Sequence, residues 1–89
     1  MAYPSQADVE QALENELRSL GQPTRAMHLY EPLTEHFGLT AIERTQPRHD
    51  GQPGTEWGNR VQWARRGLVQ RGVMAYRPYK PWALAEWDL

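Results

Sequence analysis

The sequence predicts an α+β fold that is mainly helical, three helices followed by a C-terminal β-hairpin. Three observations carry that prediction. Apolar residues recur at helical spacing in three stretches, and glycines or prolines punctuate the ends of each. The last apolar cluster is divided by the proline-rich segment Pro78-Tyr79-Lys80-Pro81 into two short runs that read as strands.

The first helix opens at Ser5, whose hydroxyl can accept from an early backbone N–H, and carries Val9, Ala12, Leu13, Leu17 and Leu20 inward. It ends near Leu20, where Gly21 supplies a stop. Gln22-Pro23 forms an extended link, Thr24 caps, and a second helix begins near Arg25 with Met27, Tyr30, Leu33 and Phe37 on one face. Pro32 lacks an N–H and clashes with the preceding turn, so a kink or break is expected there before Gly38 ends the segment. From Leu39 to Thr55 the chain is polar and holds Pro47, Gly51, Pro53 and Gly54, which marks a long loop with room for a helical turn over Thr40–Thr45. Trp57, Val61, Ala64 and Leu68 then form the stripe of a third helix, roughly Glu56 to Arg71, capped by Thr55 and ended by Gly72. Val73–Tyr76 and Trp82–Ala85 are the two strands of the hairpin, and Trp57, Trp82 and Leu84 are assigned to the core. Helix, helix, loop, helix, hairpin is the order of a winged helix-turn-helix.

At 89 residues one domain, 1–89, is expected, and a 39% hydrophobic content with four Trp and four Tyr is that of a chain that folds. Without cysteine there is neither a disulfide framework nor a thiolate metal site. The start lacks a basic segment followed by an apolar one, and no apolar run approaches the roughly 20 residues of a membrane span. A cytoplasmic protein with no membrane partner is expected.

The formal charge of −1 conceals an uneven distribution. Residues 1–43 hold two cations against seven acids, whereas residues 44–80 hold eight cations against two. A phosphate backbone responds to the local field rather than to the net charge, although an acidic surface balanced by a solvated basic one is the competing reading. With the stripe of the third helix facing inward, 100° per residue places Asn59, Gln62, Arg66 and Gln70 outward, with Trp63 at the edge. Amides and guanidinium groups suit base reading in the major groove, since Arg pairs with guanine and Asn or Gln with adenine in bidentate fashion. A plain solvated face is the alternative. Thr55 and Asn59 lie at the helix N-terminus, the part that helix-turn-helix proteins insert most deeply.

The turn residues Arg77, Tyr79 and Lys80 would form a wing that contacts phosphate or the minor groove, or else an ordinary basic hairpin tip. Arg44, Arg48 and His49 would reach a neighbouring phosphate if their loop folds over the groove, or else belong to a disordered loop. Arg60 and Arg71, beside the apolar stripe, are read as structural, with heads that pair to acids of the first two helices. Trp63 and Trp87 remain open between core and contact.

Nothing indicates catalysis. His28, His36 and His49 have no ligand spacing, no glycine-rich phosphate loop is present, and the carboxylate pairs Glu14/Glu16 and Glu31/Glu35 sit on acidic helix faces without a Lys or His partner. No catalytic residue, metal ligand or cofactor is therefore expected.

The run Asn59-Arg60-Val61-Gln62-Trp63-Ala64-Arg65, with Leu68, Gly72, Trp82-Ala83-Leu84 and the earlier Phe37-Gly38-Leu39-Thr40, resembles the N-terminal winged-helix domain of Mrr-type restriction systems. The likeness covers most of the chain, and Arg-Val-x-Trp-Ala-Arg is its most specific element. It implies sequence- or modification-directed binding of double-stranded DNA, as the targeting module of a bacterial restriction endonuclease whose nuclease is a separate domain or subunit. Pro32 departs from the uninterrupted second helix that the resemblance implies. The alternative use of such a fold is protein interaction or homodimer formation, with Trp63, Tyr79 and Trp87 as an aromatic patch.

Overall fold

The computed structural model describes residues 3–87. They form four helices: α1 Gln6–Leu20, α2 Tyr30–Phe37, α3 Ala41–Thr45 and α4 Glu56–Gln70, with single 3-10 turns at Ala26–His28 and Ala85–Trp87. The two long helices, α1 and α4, pack along one another, α2 lies against α1, and α3 lies against α4.

Each helix has a local reason to start and stop. Ser5 Oγ accepts from the Asp8 N–H at 3.1 Å, and Gly21, at φ 70°, closes α1 in the left-handed region. Buried Val9, Ala12, Leu13 and Leu17 then meet buried Val61, Ala64 and Leu68 of α4 in one core. Each large aliphatic side chain taken fully out of water contributes about 1.5–3 kcal/mol before entropy is counted. Gly67 leaves room for side chains of α1: a Cβ there would lie 2.8 Å from Glu10 Cδ and 3.0 Å from Gln6 Nε2.

The second helix differs from the sequence expectation. Residues 26–28 make a 3-10 turn, and α2 begins only at Tyr30, so Pro32 falls in its first turn, where a missing N–H has no helical partner to lose. The proline therefore sets where the helix starts instead of breaking it. Met27 points away from the core and is 70% exposed, and Leu20 is 42% exposed, while Leu29, between the 3-10 turn and α2, is fully buried. Within the 39–55 stretch, Thr40 and Glu43 form a reciprocal capping box that starts the five-residue α3. The remaining loop is closed by the Glu56 N–H donating to the Gln46 carbonyl at 2.8 Å.

The C-terminal β-hairpin wing is not present, and among the described residues there is no strand; the winged α+β assignment gives way to a small, mainly helical fold. The chain does double back: Met74 and Leu84 form an isolated bridge, with the Ala75 N–H donating to Ala83 and the Ala85 N–H to Val73. Pairing stops there for two reasons. The backbone of Trp82 exchanges both its hydrogen bonds with Thr24, at 2.9 Å each, and Pro78 and Pro81 offer no donors to extend a ladder. The side chains of Met74, Trp82 and Leu84 nonetheless belong to the core that α1 and α4 form.

Candidate nucleic-acid interface

Helix α4 builds the site because its two faces have opposite chemistry. Trp57, Val61, Ala64 and Leu68 are buried, which turns Asn59, Gln62, Arg66 and Gln70 outward. Thr55 Oγ1 accepts from the Gly58 N–H at 3.0 Å, so the hydroxyl is committed to capping the helix.

Beside the first half of α4 lies an open cleft of about 520 Å³, walled by α2, α3 and residues 53–55. Its floor is the edge of Trp57, whose indole N–H donates to Thr34 Oγ1 at 3.0 Å; that hydroxyl donates in turn to the Tyr30 carbonyl at 2.6 Å. Tyr3 stacks on Trp57 with centroids 6.2 Å apart, and Phe37 meets it edge-on at 5.9 Å, so the indole is fixed in place. Gln62 Nε2 donates to the Tyr30 hydroxyl at 2.9 Å across the cleft, which leaves the amide oxygen of Gln62 uncommitted. The Asn59 amide has no protein hydrogen bond among the described residues. Arg48 also faces the cleft, 2.6 Å from Asp50. The Gln52 backbone N–H, and then Arg48, hold the Asp50 carboxyl below its ordinary range.

The second half of α4 is an aromatic and cationic surface. The Arg66 guanidinium lies 4.7 Å from the centroid of Trp63, itself 49% exposed, and Arg65 lies 5.2 Å from Trp82 and 5.7 Å from Tyr76. Following Tyr76, the Lys80 N–H donates to the Arg77 carbonyl to close a turn, on which Tyr79 stands 99% exposed at φ 63°. A non-glycine residue in the left-handed region is uncommon and costs about 1 kcal/mol or more.

The basic block of the sequence splits in two. Arg44, Arg48, Arg60 and Arg71 each lie within 4 Å of a carboxylate, from Glu31, Asp50, Glu56 and Glu10 respectively. Arg65, Arg66, Arg77 and Lys80 have no such partner among the described residues. Within that block the cations without a carboxylate partner are therefore four, at the C-terminal half of α4 and the adjoining turn.

A family model, the Mrr N-terminal domain, matches residues 10–86. The chain belongs to this family. No curated protein and no solved structure matches it. Membership links the chain to restriction systems, and the matched region runs from within α1 to the final 3-10 turn, nearly the whole chain.

In this Mrr N-terminal domain the residues singled out from sequence fall into two groups. Arg48, Thr55, Asn59 and Gln62 line the cleft, whereas Trp63, Arg66 and Gln70 follow along α4 and Arg77, Tyr79 and Lys80 stand on the neighbouring turn rather than on a wing. Trp87 is half-buried against the core, which removes it from an exposed aromatic patch. Sequence reasoning missed Tyr30, read as core alone, and Arg65 with Tyr76. Arg65 stands in the most specific stretch of the family resemblance, the signal that would have drawn attention to it. Among the described residues no three His, Asp or Glu side chains converge as metal ligands, and no helix is long and apolar enough to cross a membrane.

Proposed function

We propose that this Mrr N-terminal domain binds double-stranded DNA and serves as the targeting module of a restriction endonuclease, catalysis residing in a nuclease domain or subunit. The observation that carries the reading is the amide and guanidinium face of α4 lying next to four cations without acidic partners. In this arrangement α4 enters the major groove, Asn59, Gln62 and Arg66 meet base edges, and Arg65, Arg77 and Lys80 meet phosphates. The acidic α1 surface faces away from the duplex.

The test is binding of the purified chain to a pool of duplexes, unmodified and carrying modified cytosines, at two salt concentrations. Arg66→Ala and Gln62→Ala each weaken binding to the preferred sequence by about 1–3 kcal/mol if this face reads bases. Unchanged affinity in both variants removes α4 as the reader. A second reading, protein interaction or homodimer formation, is favoured by the exposed rings of Trp63, Tyr76 and Tyr79. A salt-tolerant, concentration-dependent oligomer with no duplex binding at low salt selects it.

A further inference from the structure

We infer that the cleft between α2, α3 and the start of α4 receives a single unstacked nucleobase, extruded from the bound duplex. The inference rests on the DNA-binding reading and deepens it: the base edge that Asn59 and Gln62 meet is that of the extruded base, while Arg66 meets the duplex.

The size of the cleft, about 520 Å³, falls within the roughly 300–1,000 Å³ of sites that hold small organic ligands and far exceeds the share of one water molecule, about 30 Å³. Its shape is held by buried contacts. The Trp57–Thr34–Tyr30 hydrogen-bond chain fixes an aromatic floor, and Tyr3 and Phe37 brace the indole. Gly54 and Gly58 border the mouth with no side chain to fill it.

The polar groups are those that a heterocycle edge requires. The Asn59 amide is free to donate and accept, Gln62 has an open carbonyl oxygen, and the Tyr30 hydroxyl that accepts from Gln62 retains its own proton to donate. Neutral groups with both polarities, set against an aromatic floor, match the alternating donors and acceptors of a base better than they match a phosphate. Charge on the lining supports that choice: Arg44 is neutralised by Glu31, which itself lines the cleft, and Arg48 is held by Asp50. A phosphate pushed inside would meet the Glu31 carboxylate. Asn59 and Gln62 also belong to the outward face of α4, so the cleft adjoins the surface proposed to meet the duplex. Extrusion costs a few kcal/mol and least at a mispair.

Two experiments test this. In the first, the isotope-labelled chain is titrated with each of the four nucleoside 5′-monophosphates and with inorganic phosphate, and the side-chain amide signals of Asn59 and Gln62 and the Trp57 indole N–H are followed. Saturable shifts at these signals that differ between bases are expected, and Asn59→Ala, which breaks no protein hydrogen bond among the described residues, abolishes the discrimination. No shift at millimolar nucleotide, or shifts reproduced by inorganic phosphate, overturns the inference. In the second, a duplex carrying one 2-aminopurine opposite a mispaired cytosine is bound by the wild-type chain, with a several-fold rise in fluorescence expected. A bound duplex with no rise overturns the cleft inference and leaves DNA binding standing. Failure to bind any duplex at low salt overturns both.

Discussion

Replacing Thr34 by valine removes one hydroxyl and keeps the shape, yet the structure gives that hydroxyl two bonds in a buried place. It accepts from the Trp57 indole at 3.0 Å and donates to the Tyr30 carbonyl at 2.6 Å. The carbonyl loses little, because it lies within α2 and keeps the helical N–H. The indole N–H loses its acceptor in a bond that is buried, Trp57 being 3% exposed, and an orphaned buried donor costs about 1–3 kcal/mol. For a domain of this size 1 kcal/mol corresponds to about 4–8 °C in Tm. Thr34→Val should therefore lower Tm well beyond the scatter of a surface substitution. Trp57→Phe removes the donor instead, leaving a hydroxyl that still serves the Tyr30 carbonyl, at the cost of a smaller ring. The double variant closes a thermodynamic cycle. Denaturant unfolding of the four proteins should give a coupling energy of about 1–2 kcal/mol, the double variant being more stable than the single losses predict. Additive losses would refute the claim that this hydrogen bond fixes the cleft floor.

The capping box of α3 should matter despite the helix having only five residues, since Thr40 Oγ1 accepts from the Glu43 N–H at 3.2 Å and the Glu43 carboxylate accepts from the Thr40 N–H at 2.8 Å. Thr40→Ala should cost about 0.5–2 kcal/mol by denaturant unfolding and raise amide exchange over 41–45. Tyr3 has its phenol pKa raised above 10.0, first by burial and then by the Glu56 and Glu43 carboxylates. Because the folded state favours the protonated phenol, its contribution is fully present below the unfolded value near 10 and is lost as pH rises through the folded pKa. Ultraviolet titration should find a late phase from Tyr3, and Tyr3→Phe should remove it.

The elements that local chemistry decides were legible. Ser5 and Gly21 bound α1, Thr55 caps α4, and a four-three-four spacing from Trp57 to Leu68 gives the buried face of α4, because caps and helical periodicity depend on neighbours in sequence. What failed depended on partners distant in sequence. Val73–Tyr76 and Trp82–Ala85 have the composition of paired strands, but Thr24 takes the backbone of Trp82, a competitor that no local pattern reveals. Pro32 implies a kink or a break only for a helix that starts near Arg25; with the start at Tyr30 the same residue is harmless. The outward set Asn59, Gln62, Arg66 and Gln70 followed from α4 alone. The cleft did not, since Thr34 and Tyr30 meet Trp57 and Gln62 across 23 and 32 residues. Charge was legible only as a sum: Glu10 and Glu31 lie in the acidic half of the chain, yet each cancels an arginine of the basic half.

That cancellation sets the number by which the proposed function is most directly tested. Three uncompensated cations, Arg65, Arg77 and Lys80, each neutralising one phosphate, give a slope of log affinity against log salt of about −2.7, or a loss of roughly 40-fold between 50 and 200 mM. Fluorescence anisotropy of the wild-type chain on a labelled duplex across that range measures it. The account predicts saturable binding with a slope of about −2.7. No binding at the lowest salt, or a slope near zero, would contradict it.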